Sequence, residues 1–184
     1  MIKIEISNNE YSVASPTLAV WLISTISKNS INNIAPYGMV MPVSYQPLIV
    51  AVGTDVNRDT YKNIIQTGEF VLNLASTQMI KKVNITAAKF PPEIDEFEKA
   101  DLTSLPSLKV KPGRIEECKV HIECQLKDNF EITETRRIIT ANSLAITIDK
   151  NIYLKNHALQ KGLLDPIFYV KGSYFGLGRF VGKR

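Results

Sequence analysis

An arginine, an aspartate, a threonine and an asparagine fall within six positions of the stretch VNRDTYKNIIQTGEFVLNL, residues 56–74. Ile64, Ile65 and Phe70 mark a helix of about two turns, and Gly68 suits the left-handed residue that ends it. Asp59 or Thr60 suits the N-cap, since a side-chain oxygen there accepts from an N–H of the first turn. With Thr60 as cap, Asn63 takes the third helical position, where glutamate would close a capping box. A neutral Asn63 leaves the N–H groups and the positive dipole end open to an anion. Arg58 adds a planar fork that matches phosphate oxygens. The plainer reading is a capped helix whose Arg58 pairs with Asp59 or with water. Magnitudes limit the anion reading as well. Three charged hydrogen bonds at about 1.5–3 kcal/mol each barely exceed an association cost of about 4 kcal/mol or more. A ligand holding its phosphate here must stack or bury the rest of itself elsewhere.

A second stretch offers such a surface. NNIAPYGMVMPVS, residues 32–44, joins two expected strands by a loop that holds amide side chains, a rigid Pro36 and the aromatic Tyr37. Ala35 lets a flat ring approach the backbone. The plainer alternative is an ordinary hairpin loop.

The elements that must position these residues are mostly strands. LAVWLISTI (18–26) is apolar and β-rich, and SKNSINN (27–33) is turn-forming. Residues 37–44 form a shorter strand interrupted by Pro42, which suits an edge or a bulge. LIVAVG (48–53) is apolar without alternation, as in a strand buried on both faces. A strand over 70–74 follows the opening helix. TQMIKKVNITAA (77–88) has helical spacing, and Pro91 is placed to start a second short helix ending near Ala100. Strands are expected again at 118–126, 130–135, 137–148 and 167–171. Strands, a helical insert and strands again argue for an α+β, mostly β fold, a β-barrel decorated with short helices. At 184 residues the chain reads as a single domain over 1–184, long enough to bury roughly 70% of its unfolded surface.

Several classes of chemistry lack support. The net charge of +4 is spread along the chain, and Lys81-Lys82 and Arg136-Arg137 read as solvated faces, so no nucleic acid is expected. No apolar run is long enough to cross a membrane, and residues 1–5 carry no secretory pattern, so the expected location is cytoplasmic. Cys118 and Cys124 alternate with polar residues as core positions of one strand, about 20 Å apart, too far to pair. His121 falls on the polar face of that strand, and with His157 as the second histidine no zinc cluster forms. GLGRFVG (176–182) has no helix after it and reads as a loop. An enzyme of this composition leaves its chemistry to a bound cofactor.

Taken together, NNIAPYGMVMPVSYQPLIVAVG, RDTYKNIIQTGEFVLNL and FPPEIDEFEKADLT resemble the flavin reductase-like, FMN-binding split-barrel family, including flavoredoxin-like proteins. RIEECKVHIEC and KGSYFGLG resemble its later strand and C-terminal segment, so the resemblance spans roughly residues 15–180. It implies a homodimer of split barrels with FMN near the subunit interface. By position, Arg58, Asp59, Thr60 and Asn63 match the segment holding the FMN phosphate and ribityl chain. Asn33, Ala35, Pro36, Tyr37 and Ser44 match the part along the isoalloxazine ring. Lys89 matches a contact across the interface, and Tyr174 a residue that closes the pocket. No histidine stands in ETRRIITANSLAIT (134–147), and Ala141-Asn142 replaces the family's Gly-Glu pair. That departure bears on the nicotinamide side of the site. The expected function is an FMN-dependent oxidoreductase taking electrons from NADH or NADPH, with a redox partner as a further participant. Two alternatives stand beside it: an FMN electron carrier without its own NAD(P)H activity, and a β-barrel binding module without flavin.

Overall fold

The computed structural model describes Ser7, residues 18–153 and residues 164–178. The expectations for residues 1–5, His157 and residues 179–182 lie outside the described residues.

The core is an antiparallel sheet whose strands are β1 (Trp21–Ile26), β2 (Asn32–Tyr37), β3 (Val40–Tyr45), β4 (Leu48–Asp55), β5 (Glu69–Leu74), β8 (Val120–Glu131) and β9 (Arg136–Ile148). Their spatial order is β2-β1-β5-β8-β9-β4-β3. Helix α1 (Asp59–Thr67) leads into β5. A 3₁₀ turn (Thr77–Met79), α2 (Ile80–Thr86) and the single-turn α3 (Glu96–Lys99) form the helical insert. Two small ribbons complete the chain, β6 (Ser104–Leu105) with β7 (Arg114–Ile115), and β10 (Phe168–Val170) with β11 (Ser173–Phe175).

Strands β2 and β3 lie on opposite edges of the sheet, yet only Gly38 and Met39 separate them in sequence. Three Cα steps cover at most about 11 Å, so the sheet must roll until its edges meet at this corner. There the Gly53 N–H donates to the Met39 carbonyl at 2.9 Å. Among the described residues no ladder joins β2 to β3, and the roll stays split along that seam.

Period-2 alternation sorts the core into two layers. Leu22 packs with Ile34, Val83, Phe97 and Ile115 beneath the helical insert, while its neighbour Ile23 packs with Val52, Ile64, Phe70 and Ile139 inside the roll. Strand β1 is therefore buried on both faces, the polar Ser24 and Thr25 included. Each fully buried Leu, Ile or Phe contributes about 1.5–3 kcal/mol.

Edge strand β3 carries a bulge between Pro42 and Ser44, as Pro42 suggested, and three successive buried residues, Val50 to Val52, mark β4 as interior. Other expectations are corrected. Residues 32–37, expected as a loop, are strand β2, with Pro36 paired to Leu22; a proline is tolerated because β2 is an edge strand. Residues 118–126 and 130–135 are not two strands: β8 runs through to Glu131 and absorbs the irregularity as bulges. The helix expected from Pro91 begins only at Glu96, because Asp95 is its cap, accepting the Phe97 N–H at 2.9 Å. His121 is buried, not on a polar face, because β7 and its loop cover that side of β8. Its Nε2 lies 2.8 Å from the Ile115 carbonyl and its Nδ1 3.0 Å from Thr147 Oγ1, and burial holds its pKa below the ordinary value. Cys118 and Cys124 are free and buried in different layers. No helix among the described residues is long and apolar enough to cross a membrane.

Candidate functional site

The start of α1, the end of β2, the end of β4 and the segment after α2 converge on a cavity of about 670 Å³, within the range typical of cofactor sites. Eight of the residues singled out from sequence line it: Asn33, Ala35, Pro36, Tyr37, Arg58, Asp59, Thr60 and Lys89. Antiparallel pairing with β1 holds β2 in register, Ala35 opposite Ile23 and Tyr37 opposite Trp21, which fixes the apolar wall.

Helix α1 begins one or two residues earlier than expected. Arg58 is the N-cap, with extended backbone and no side-chain cap bond, so Asp59 and Thr60 already lie inside the helix. The first intrahelical bond runs from the Lys62 N–H to the Arg58 carbonyl, leaving the amides before it without helical partners. Gly68 ends the helix at φ 74°, as expected of a left-handed cap.

Asp59 pairs with Lys62 at 2.9 Å rather than with Arg58, and Asp55 faces Arg136 at 3.6 Å. Among the described residues Arg58 and Lys89 enter no ion pair, so both cations remain available to the cavity.

Thr60 and Asn63 turn inward instead. Thr60 Oγ1 donates to Asn33 Oδ1 at 2.8 Å, Thr25 Oγ1 donates to the same oxygen at 3.3 Å, and Asn63 Nδ2 donates to Thr25 Oγ1 at 3.1 Å. Asn63 is buried behind the wall and does not line the cavity. It braces Thr25, which with Thr60 holds Asn33. Tyr37 shares a 3.0 Å hydrogen bond with Thr54, and burial raises its phenol pKa, so the hydroxyl stays protonated at neutral pH.

Two other singled-out residues stand apart. Ser44 lies beyond the β3 bulge, away from the cavity. Tyr174 donates to Asn84 at 3.1 Å and packs against Tyr169 with ring centroids 5.5 Å apart. Tyr169 is the residue that reaches the cavity.

Thr54, Glu96, Arg136 and Tyr169 line the cavity without having been singled out. Glu96 is the least expected. Burial raises its carboxyl pKa from 4.5 to about 7 against the opposing pull of the Ile34 N–H, which donates to it at 2.7 Å. In sequence its stretch falls in the short helix expected to end near Ala100, and nothing local distinguishes Glu96 from Glu98. A second cavity of about 650 Å³, lined mainly by Leu18, Met41, Ala51 and Ile138, shares Met39, Gly53, Thr54 and Arg136 with the first. Among the described residues no group of His, Cys, Asp and Glu comes together to hold a metal ion.

An uncharacterized protein of Aquifex aeolicus is 37% identical over 158 residues, covering 83% of this chain and 80% of the relative. One from Methanothermobacter thermautotrophicus is 46% identical over 114 residues, covering 62% of this chain and 54% of that protein. Among solved structures, nitrilotriacetate monooxygenase component B from Bacillus cereus superposes with a TM-score of 0.89 at 24% identity, covering all of both chains. Flavoredoxin of Desulfovibrio vulgaris (Miyazaki F) gives 0.87 at 21% identity, covering 100% of this chain and 97% of the other. These likenesses show the fold. The pattern of the family described as "Flavin reductase like domain" matches residues 14–178, and the chain belongs to that family.

Proposed function

We propose that the chain binds FMN in the cavity below α1 and works as a flavin-dependent oxidoreductase. The observation that carries this reading is a single cavity lined both by Arg58, Lys89 and the uncapped start of α1 and by Ala35, Pro36 and Tyr37. A ligand that carries both a phosphate and a flat ring fits that lining. The cations and free amides favour a phosphate-bearing flavin over one without. Among the solved neighbours, a Thermus thermophilus protein is described as FMN-binding, which supports the same choice.

Bound flavin supplies two-electron chemistry, and the protein supplies position and charge. Thr60, Thr25 and Asn33 hold the wall, Tyr37 stays a neutral donor, and the apolar second cavity gives a nicotinamide ring an approach beside the first. NADH or NADPH is the proposed donor, and a protein redox partner the alternative source of electrons. Anaerobic mixing of the FMN-loaded protein with NADH, then NADPH, decides between them. Prompt loss of the flavin absorbance is expected; bleaching by dithionite or a partner reductase alone would make the chain an electron carrier.

A second copy of the chain is the proposed cover for β3. Its outward residues Met41, Val43 and Tyr45 are exposed on an edge strand, an arrangement that invites pairing.

A further inference from the structure

Among the described residues, the free edge of β2 meets two acids rather than another strand. Asp95 accepts from Asn32 Nδ2 at 2.7 Å, and Glu96 accepts from the Ile34 N–H at 2.7 Å. The single-turn α3 that carries Glu96 is anchored by Phe97 in the core, so the carboxyl group is held rigidly against β2. The Asn33 side chain also acts on Glu96, favouring its ionised form. Asn33 is thus held from two sides, by the Thr60 and Thr25 hydroxyls at its oxygen and by Glu96 beyond its amide. Glu96 is 7% exposed and nevertheless forms part of the cavity wall.

We propose that Glu96 is a positioning residue of the flavin cavity. It locks β2 and Asn33 in the geometry that receives the ligand, and its charge, when present, weighs against negative charge on that ligand. This rests on the flavin reading above.

The groups facing Glu96 set the sign. Asp95 on its own helix and Asp59 on α1 both disfavour its ionisation. Arg58 and Lys62 on α1, Lys89 after α2, Asp55 on β4, Arg136 on β9 and Tyr37 on β2 line the same cavity. Glu96 itself titrates at about 7. Below that pH it is neutral; above it a carboxylate faces the cavity, and a phosphate-bearing flavin binds less well.

FMN fluorescence titrations of wild type, E96Q and E96A at pH 6 and pH 8.5 test the role. Glutamine keeps an acceptor for the Ile34 N–H and removes the charge. The ratio of wild-type to E96Q Kd is expected near one at pH 6 and on the order of threefold to tenfold higher at pH 8.5. The FMN phosphate titrates in both proteins and cancels in the ratio. E96A, which loses the clamp, is expected to bind more weakly at both pH values. In a wild-type chain that binds FMN, E96A identical to it at both pH values overturns the positioning role, and E96Q identical to it at both overturns the charge role, each leaving the flavin reading intact. A wild-type chain that binds no FMN at either pH overturns the flavin reading and this role with it.

Discussion

Arg58 and Thr60 stand two positions apart, yet their side chains do different things. Arg58 is exposed at the mouth of the cavity and enters no ion pair among the described residues. Thr60 is buried and spends its hydroxyl on Asn33. A double substitution mixes the two effects, so the single variants are the sharper test. Arg58→Ala is expected to weaken FMN binding about tenfold to a hundredfold, the worth of one charged hydrogen bond. Riboflavin, which lacks the phosphate, should be nearly unaffected. Thr60→Ala is expected to weaken both ligands by similar factors, because it releases one of the two hydroxyls that hold Asn33. Parallel fluorescence titrations with the two flavins read this directly; equal losses for both in Arg58→Ala would mean that the phosphate is held elsewhere. Much of this site was legible in the sequence, because Arg58, Thr60 and the 33–37 stretch cluster along the chain. Glu96 was not legible, because its burial depends on α3 packing against β2, more than sixty residues away.

Among the elements, short-range signals survived and long-range ones did not. Gly68 ends α1 and Pro42 precedes the β3 bulge, both effects of local backbone geometry. The N-cap was misplaced by one or two residues, since Arg58 takes that position without a capping side chain. Residues 32–37 read as a loop because proline and asparagine depress β-propensity, but pairing with β1 overrides it. His121 was misread because alternation along β8 says nothing of the loop that covers its second face. Strand β3 carries the element-scale prediction. Its outward Val43 and Tyr45 are 51% and 79% exposed, an apolar edge that a partner strand would hide. If a second copy covers it, Val43→Asp with Tyr45→Asp shifts the chain from dimer to monomer in sedimentation velocity. A wild-type monomer at micromolar concentration would rule the arrangement out.

At the scale of the whole molecule, the rolled sheet explains why the cavity exists. Two opposite edge strands joined by Gly38 and Met39 force the seam of the roll beside the start of α1. Helix amides, cations and a flat apolar wall thus come together, although β2 and α1 are separated in sequence by β3 and β4. Length and composition pointed to a single mostly β domain, and the motif order pointed to the family that the comparisons bear out. The roll itself could not be read from any one segment, because it follows from strand order. The account stands on flavin occupying this cavity, and the most direct test is titration of the purified chain with FMN, followed by fluorescence and the visible spectrum. Saturable quenching with one flavin per chain, together with a perturbed absorption band near the flavin maximum, is the predicted result. A colourless protein that leaves FMN fluorescence unchanged would contradict it.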